Sequence, residues 1–288
     1  MNRETEKMVK LIQQLIEEKG LTNEKEINDF LKNEVMNKTP EDFDFEMEDE
    51  DLVLDIVDKA RLEKDDYEAI SLIEEALILD KKCIEAYTLL ANKQSHPFLA
   101  EYFFKKAIKI GKKRFPKEFL EKNKEHLWTI HEVRPYLIAI NSLSQLNYQE
   151  GDYWGSAKKL EKLIQLCPND NMGVREILFT VLLDLKKFKK FKKYSDLFSD
   201  DTLSSTLFSK VFYSFFKDND IEKTTYLLKT AQNSNPHVVK KLINPNAKFK
   251  LLPSFGIGSI EEANNYCYFA RDLWQEYPEL IHWLKQNQ

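Results

Sequence analysis

The chain has 288 residues, with 43 Lys and Arg against 48 Asp and Glu and a formal charge of −5, so it carries no overall basic footprint and nucleic acid is not an expected partner. Seven glycines and nine prolines leave too few turn residues for a β fold, and helices must dominate. Cys83, Cys167 and Cys267 are odd in number, far apart and in no CxxC spacing, which argues against a disulfide framework or a zinc site and fits a reducing compartment.

Taken in chain order, residues 1–40 read as an N-terminal helical cap. The opening twenty residues are charged throughout, unlike a leader, and no stretch approaches the 18 uncharged apolar residues of a membrane span, so the expectation is a cytoplasmic protein without membrane contact. Helices are expected over 3–19 and 24–37, the second capped by Asn23 with Glu26 three residues on. Residues 41–51 form an acidic linker with 8 acids among 11 residues and two phenylalanines, Phe43 and Phe45. They contribute to an uneven charge: residues 1–60 hold 18 acidic and 8 basic residues, leaving the rest mildly basic. One reading of 41–51 is that it folds back on that basic body as an internal pseudo-ligand.

Residues 52–246 read as about five helical-hairpin repeats. Ala69, Ile73 and Ala76, then Ala100, Phe104 and Ala107, repeat one spacing of four and three, marking degenerate units over 51–83 and 84–112. Pro97, Pro116 and Pro135 each suit the start of a helix, and a helical insert is expected near 116–130. The clearest unit is 137–170, where two amphipathic segments flank Gly151-Asp152-Tyr153, with a small residue at Ser156 and a closing Pro168. Pro236 lies 68 residues after Pro168, two periods of 34, with Phe208, Val211, Phe212 and Phe215 on the first helix of the last unit and Leu228 and Ala231 on the second. This pattern resembles the tetratricopeptide repeat, which implies an all-α right-handed solenoid of helical hairpins. Residues 247–288 then supply C-terminal capping helices over 259–276 and 279–285, with Ser259 as N-cap and Pro278 as the break.

A narrower resemblance rests on Glu132-Val133-Arg134-Pro135-Tyr136, on the run from Pro168 to Arg175, and on the C-terminal GSIEEANNY with the helix around Trp283. These are similar to bacterial relatives of the suppressor-of-tumorigenicity-seven family, a resemblance that implies a repeat scaffold rather than a chemistry. In the tetratricopeptide pattern the second, fifth, ninth and twelfth positions of a unit face a ligand. In this sequence those positions are Ile138, Asn141, Gln145 and Tyr148, then Met172, Arg175, Phe179 and Leu182, then Thr206, Ser209, Tyr213 and Phe216. Asn141, Gln145, Tyr148, Arg175, Phe179 and Tyr213 are the candidate contacts, since amide, arginine and aromatic groups along a groove suit an extended peptide.

Catalytic chemistry is not in view. His126 and His131 lack the HExxH spacing, Gly256 and Gly258 lack the rest of a phosphate loop, and no cofactor or metal is expected. Lys186, Lys187, Lys189, Lys190, Lys192 and Lys193 form a basic face, with Phe188, Phe191, Tyr194 and Leu197 expected on the inward side of the same helix. The expected function is a protein- or peptide-binding scaffold that is not an enzyme. The alternative is a regulatory sensor in which a peptide or small molecule changes the solenoid's shape.

Overall fold

The computed structural model describes residues 3–36, 38, 39, 42, 43, 49–218, 220–252 and 254–288. All regular structure among them is helical. Helix α1 spans Arg3–Glu18 and α2 Glu24–Phe30, continued by a π-helical turn Leu31–Val35. The Asn23 side chain accepts the Glu26 backbone N–H at 2.9 Å, so the capping residue fixes the start of α2. Most of the expected fold-back segment, 41–51, lies outside the described residues. Of its described positions, Asp42 accepts the Thr39 N–H and the Lys38 ammonium sits 5.1 Å from the Phe43 ring.

From residue 49 the helices pack as sequential neighbours: α3 Asp49–Leu62 with α4 Asp66–Leu79, α5 Ile84–Asn92 with α6 Pro97–Arg114, α8 Arg134–Gln149 with α9 Tyr153–Leu166, α10 Arg175–Asp184 with α11 Phe188–Leu197, and α12 Ser204–Lys217 with α13 Ile221–Ser234. Each pair also meets the next, through α4 and α5, α6 and α8, α9 and α10, and α10 and α12. Between α6 and α8 lie the short α7, Lys117–Lys122, and two single 3₁₀ turns, Leu127–Thr129 and His131–Val133. Pro97 and Pro135 occupy first-turn positions, where the missing N–H costs nothing, whereas Pro116 precedes α7 as its cap residue.

The second helices α4, α6 and α9 share one packing rule. Ala69, Ile73 and Ala76 on α4, Ala100, Phe104 and Ala107 on α6, and Ser156, Leu160 and Leu163 on α9 are all buried. A small first residue lets each second helix approach its partner closely before the larger side chains fill the space behind it. Close approach recurs at Gly111 of α6, where a Cβ would fall within 2.9 Å of three Tyr136 atoms of α8. The turn between α8 and α9 uses Gly151 at φ +76°, and Asp152 then caps α9 by accepting the Gly155 N–H at 2.8 Å.

Beyond α13 come α14 Val238–Leu242, α15 Ile260–Gln275 and α16 Pro278–Gln286. Ser259 caps α15 by accepting the Glu262 N–H at 3.1 Å. Helix α15 packs on α14 and also on α10 and α12, the first helices of two earlier pairs. Its Glu262 is buried and accepts from Ser204 N at 2.6 Å, Gly258 N at 2.6 Å and Asn235 Nδ2 at 3.1 Å. One carboxylate thus satisfies an orphan donor at the start of α12 while tying down the end of α13 and the approach to α15. Trp274 completes the junction, donating its indole N–H to the Tyr266 hydroxyl and packing edge-on to Phe212. No helix among the described residues is long and apolar enough to cross a membrane.

Candidate functional site

The expected contact line along α8, α10 and α12 is largely covered by the chain itself. Tyr148 donates its hydroxyl hydrogen to the Phe269 carbonyl of α15 at 2.7 Å, and burial pushes the phenol well above its ordinary pKa. Phe179 is 0% exposed and packs against Phe191 and Phe198, so it belongs to the core and offers a ligand no surface. Leu182, Thr206 and Ser209 are likewise buried, and the Phe216 ring packs tilted against Tyr277 with centroids 4.6 Å apart. Tyr213 is half-buried against Phe188 and Phe191.

Arg175 is held by acids rather than left to meet a ligand. Its Nη1 donates to Asp170 at 2.9 Å and its Nε to Asp201 at 2.8 Å, while the guanidinium lies 5.0 Å from the Phe198 ring. Asp170, in the left-handed region at φ 49°, also accepts the Val174 and Arg175 backbone N–H groups. The Pro168–Arg175 run therefore builds a joint between two helix pairs. Asn141 and Gln145 are half-buried on α8, and the Asn141 carbonyl accepts the Ser144 hydroxyl at 2.6 Å.

The lysine-rich helix sorts into inside and outside with one exception. Phe191 and Tyr194 are buried, whereas Leu197, expected inside, is exposed at the last position of α11. Lys190 pairs with Glu161 at 2.8 Å, Lys192 with Asp196 at 3.1 Å, Lys187 lies 4.4 Å from the Trp154 ring and Lys193 5.3 Å from that of Tyr194. Lys186 and Lys189 are exposed.

An open cleft lies further toward the N-terminus. A cleft of about 360 Å³ crosses the first helices α3, α5 and the start of α8. Asp58 and Arg61 come from α3, Glu85, Thr88, Leu89 and Asn92 from α5, and His131, Arg134, Pro135 and Ile138 from the segment leading into α8. Arg61 bridges two of these helices, reaching Asp58 at 2.5 Å and Glu85 at 3.5 Å. Arg134 is pre-positioned: its Nε donates to the Trp128 carbonyl at 2.7 Å and its guanidinium lies 5.3 Å from the Trp128 ring. Leu89, Pro135 and the 42% exposed Ile138 give the cleft an apolar strip between groups of both charges. Such a surface can hold an amide backbone and side chains of either sign; among the described residues no cluster of His, Cys, Asp and Glu could hold a metal ion.

The register of the better-formed units, carried back to the degenerate ones, reaches half of these residues. In the unit of Ser156 the contact positions Ile138, Asn141, Gln145 and Tyr148 precede that small residue by fixed offsets. The same offsets from Ala100 fall on Lys82, Glu85, Leu89 and Asn92, and from Ala69 on Asp51, Leu54, Asp58 and Arg61. Five of those eight residues, with Ile138, line the cleft. No protein-family model matches the chain, and no curated protein matches it.

Proposed function

We propose that this chain is a protein- or peptide-binding scaffold, a tetratricopeptide-like α-solenoid that takes an extended partner segment in the cleft across α3, α5 and α8 and performs no catalysis. The carrying observation is that contact positions of three first helices, Asp58 and Arg61 of α3, Glu85, Leu89 and Asn92 of α5 and Ile138 of α8, line one open cleft. Repeat architectures bind in this way because stacking places equivalent side chains of neighbouring units in line. In this reading α1, α2 and the α15–α16 pair cap the stack, and α15 fills the inner face over α10 and α12, which confines the ligand to the N-terminal units. Mixed charge around an apolar strip suits a peptide whose backbone pairs with Asn92 and whose side chains meet Arg61, Arg134 and Ile138.

The test is affinity capture from the native cell's lysate, with wild type compared with an Asn92→Trp, Ile138→Glu double variant. Both residues are exposed, so the fold should survive. Partners retained by wild type and lost by the variant support the reading; identical partners on both refute it.

A further inference from the structure

We propose a second docking site, where α9 meets α11, for an acidic peptide segment that carries one large apolar side chain. The site shares no residue with the cleft of α3, α5 and α8, and its test stands apart from that reading.

A cleft of about 410 Å³ opens between the two helices. The half-buried Leu185 at the α10 end, backed by the buried Leu182, forms its apolar floor, Trp154 its wall, and Lys158, Lys187 and Lys190 its rim. Trp154 is 56% exposed, although an indole contributes most to stability when buried. It follows directly on Asp152-Tyr153 at the start of α9, where Asp152 serves as cap, so the ring stands on a rigid helical turn. The Lys187 ammonium lies 4.4 Å from its centroid, which places a positive charge and an aromatic face side by side at the mouth. Lys186 and Lys189 are exposed just beyond the rim.

Charge selects the occupant. The one carboxylate lining the cleft, Glu161, is matched by Lys190 at 2.8 Å, which leaves Lys158 and Lys187 in excess. An acidic segment meets that excess, and a phenylalanine or leucine between its acids can reach Leu185 beside Trp154. A nucleic acid strand needs a basic track with several stacking rings, whereas this surface offers a single exposed indole on a chain whose net charge is −5. The volume matches one large side chain with its flanking backbone.

The experiment uses the full chain and a fluorescein-labelled, capped probe, Asp-Glu-Asp-Phe-Glu-Asp-Glu, followed by anisotropy. Wild type should bind at micromolar concentration, and Trp154→Ala, Lys187→Glu and Lys158→Glu should each weaken binding about tenfold. Trp154 and Lys158 are exposed and Lys187 is half-buried, so circular dichroism should be unchanged. A probe with Ala for Phe should lose affinity comparably. Absence of binding, or binding indifferent to all three substitutions, overturns the proposal. So does tighter, Trp154-dependent binding of a twelve-nucleotide thymidine strand, which would make the site one for nucleic acid. A variant with the acids of 41–51 replaced by their amides that binds the probe about tenfold tighter would show that the chain's own segment holds the site, which also displaces the partner reading.

Discussion

Glu176 opens α10 beside Arg175, and its carboxyl is pushed from the ordinary 4.5 up to about 7. Burial is the main cause; the Arg175 guanidinium opposes it, while Asp170, Glu262 and Asp201 add to it. The folded chain therefore holds this proton more tightly than the unfolded chain. The stabilisation from proton binding is fully present below pH 4.5 and is lost as pH rises through about 7. At about 1.4 kcal/mol per pKa unit, the cost of the buried carboxylate above pH 8 has a ceiling of about 3 kcal/mol. Glu176→Gln keeps the shape and removes the titration. Urea unfolding of wild type and variant from pH 5 to pH 8 should show their stability difference shifting toward the variant by up to about 3 kcal/mol. A difference that stays constant across this range would refute the assignment.

Arg175→Ala should destabilise the chain by about 3–5 kcal/mol in urea unfolding, because Asp170 and Asp201 would keep their burial and lose their shared cation. A neutral substitution would show that this joint between helix pairs is dispensable. Burial pushes the Cys83 and Cys167 thiols up to about 11 and that of Cys267 up to about 12. The native chain at pH 8 should then react slowly with a thiol reagent and release its three equivalents only on denaturation; one fast thiol would contradict the packing. Ser259→Ala should cost about 1 kcal/mol through loss of the α15 cap, read as a lowered unfolding midpoint, and no change would remove that cap from the account.

Local chemistry made the element ends legible in the sequence. Asn23 and Ser259 cap the helices expected of them, and Pro97, Pro135 and Pro278 sit in first turns, because these effects act within a few residues. The buried spacing of Ala69, Ile73 and Ala76, repeated from Ala100, was readable for the same reason. What escaped depends on distant chain. Tyr148 and Ser209 occupy contact positions of their units, yet α15 returns from more than 50 residues away in sequence to cover them. Arg175 looks like a ligand contact until Asp201, 26 residues on, is seen to bind it. Asp58, Arg61, Glu85 and Asn92 lie in segments that match little of the repeat pattern besides the small residues Ala69 and Ala100, which alone mark their register.

The most direct measurement is site-specific photo-crosslinking in the native cell, with p-benzoylphenylalanine replacing Ile138 in the cleft or, as a control, the exposed Ile78 of α4. A scaffold with its docking cleft across α3, α5 and α8 should give one discrete adduct from position 138 that is absent from position 78 and lost when Asn92→Trp is added. The same adducts from both positions, or a position-138 adduct that survives Asn92→Trp, would contradict the account.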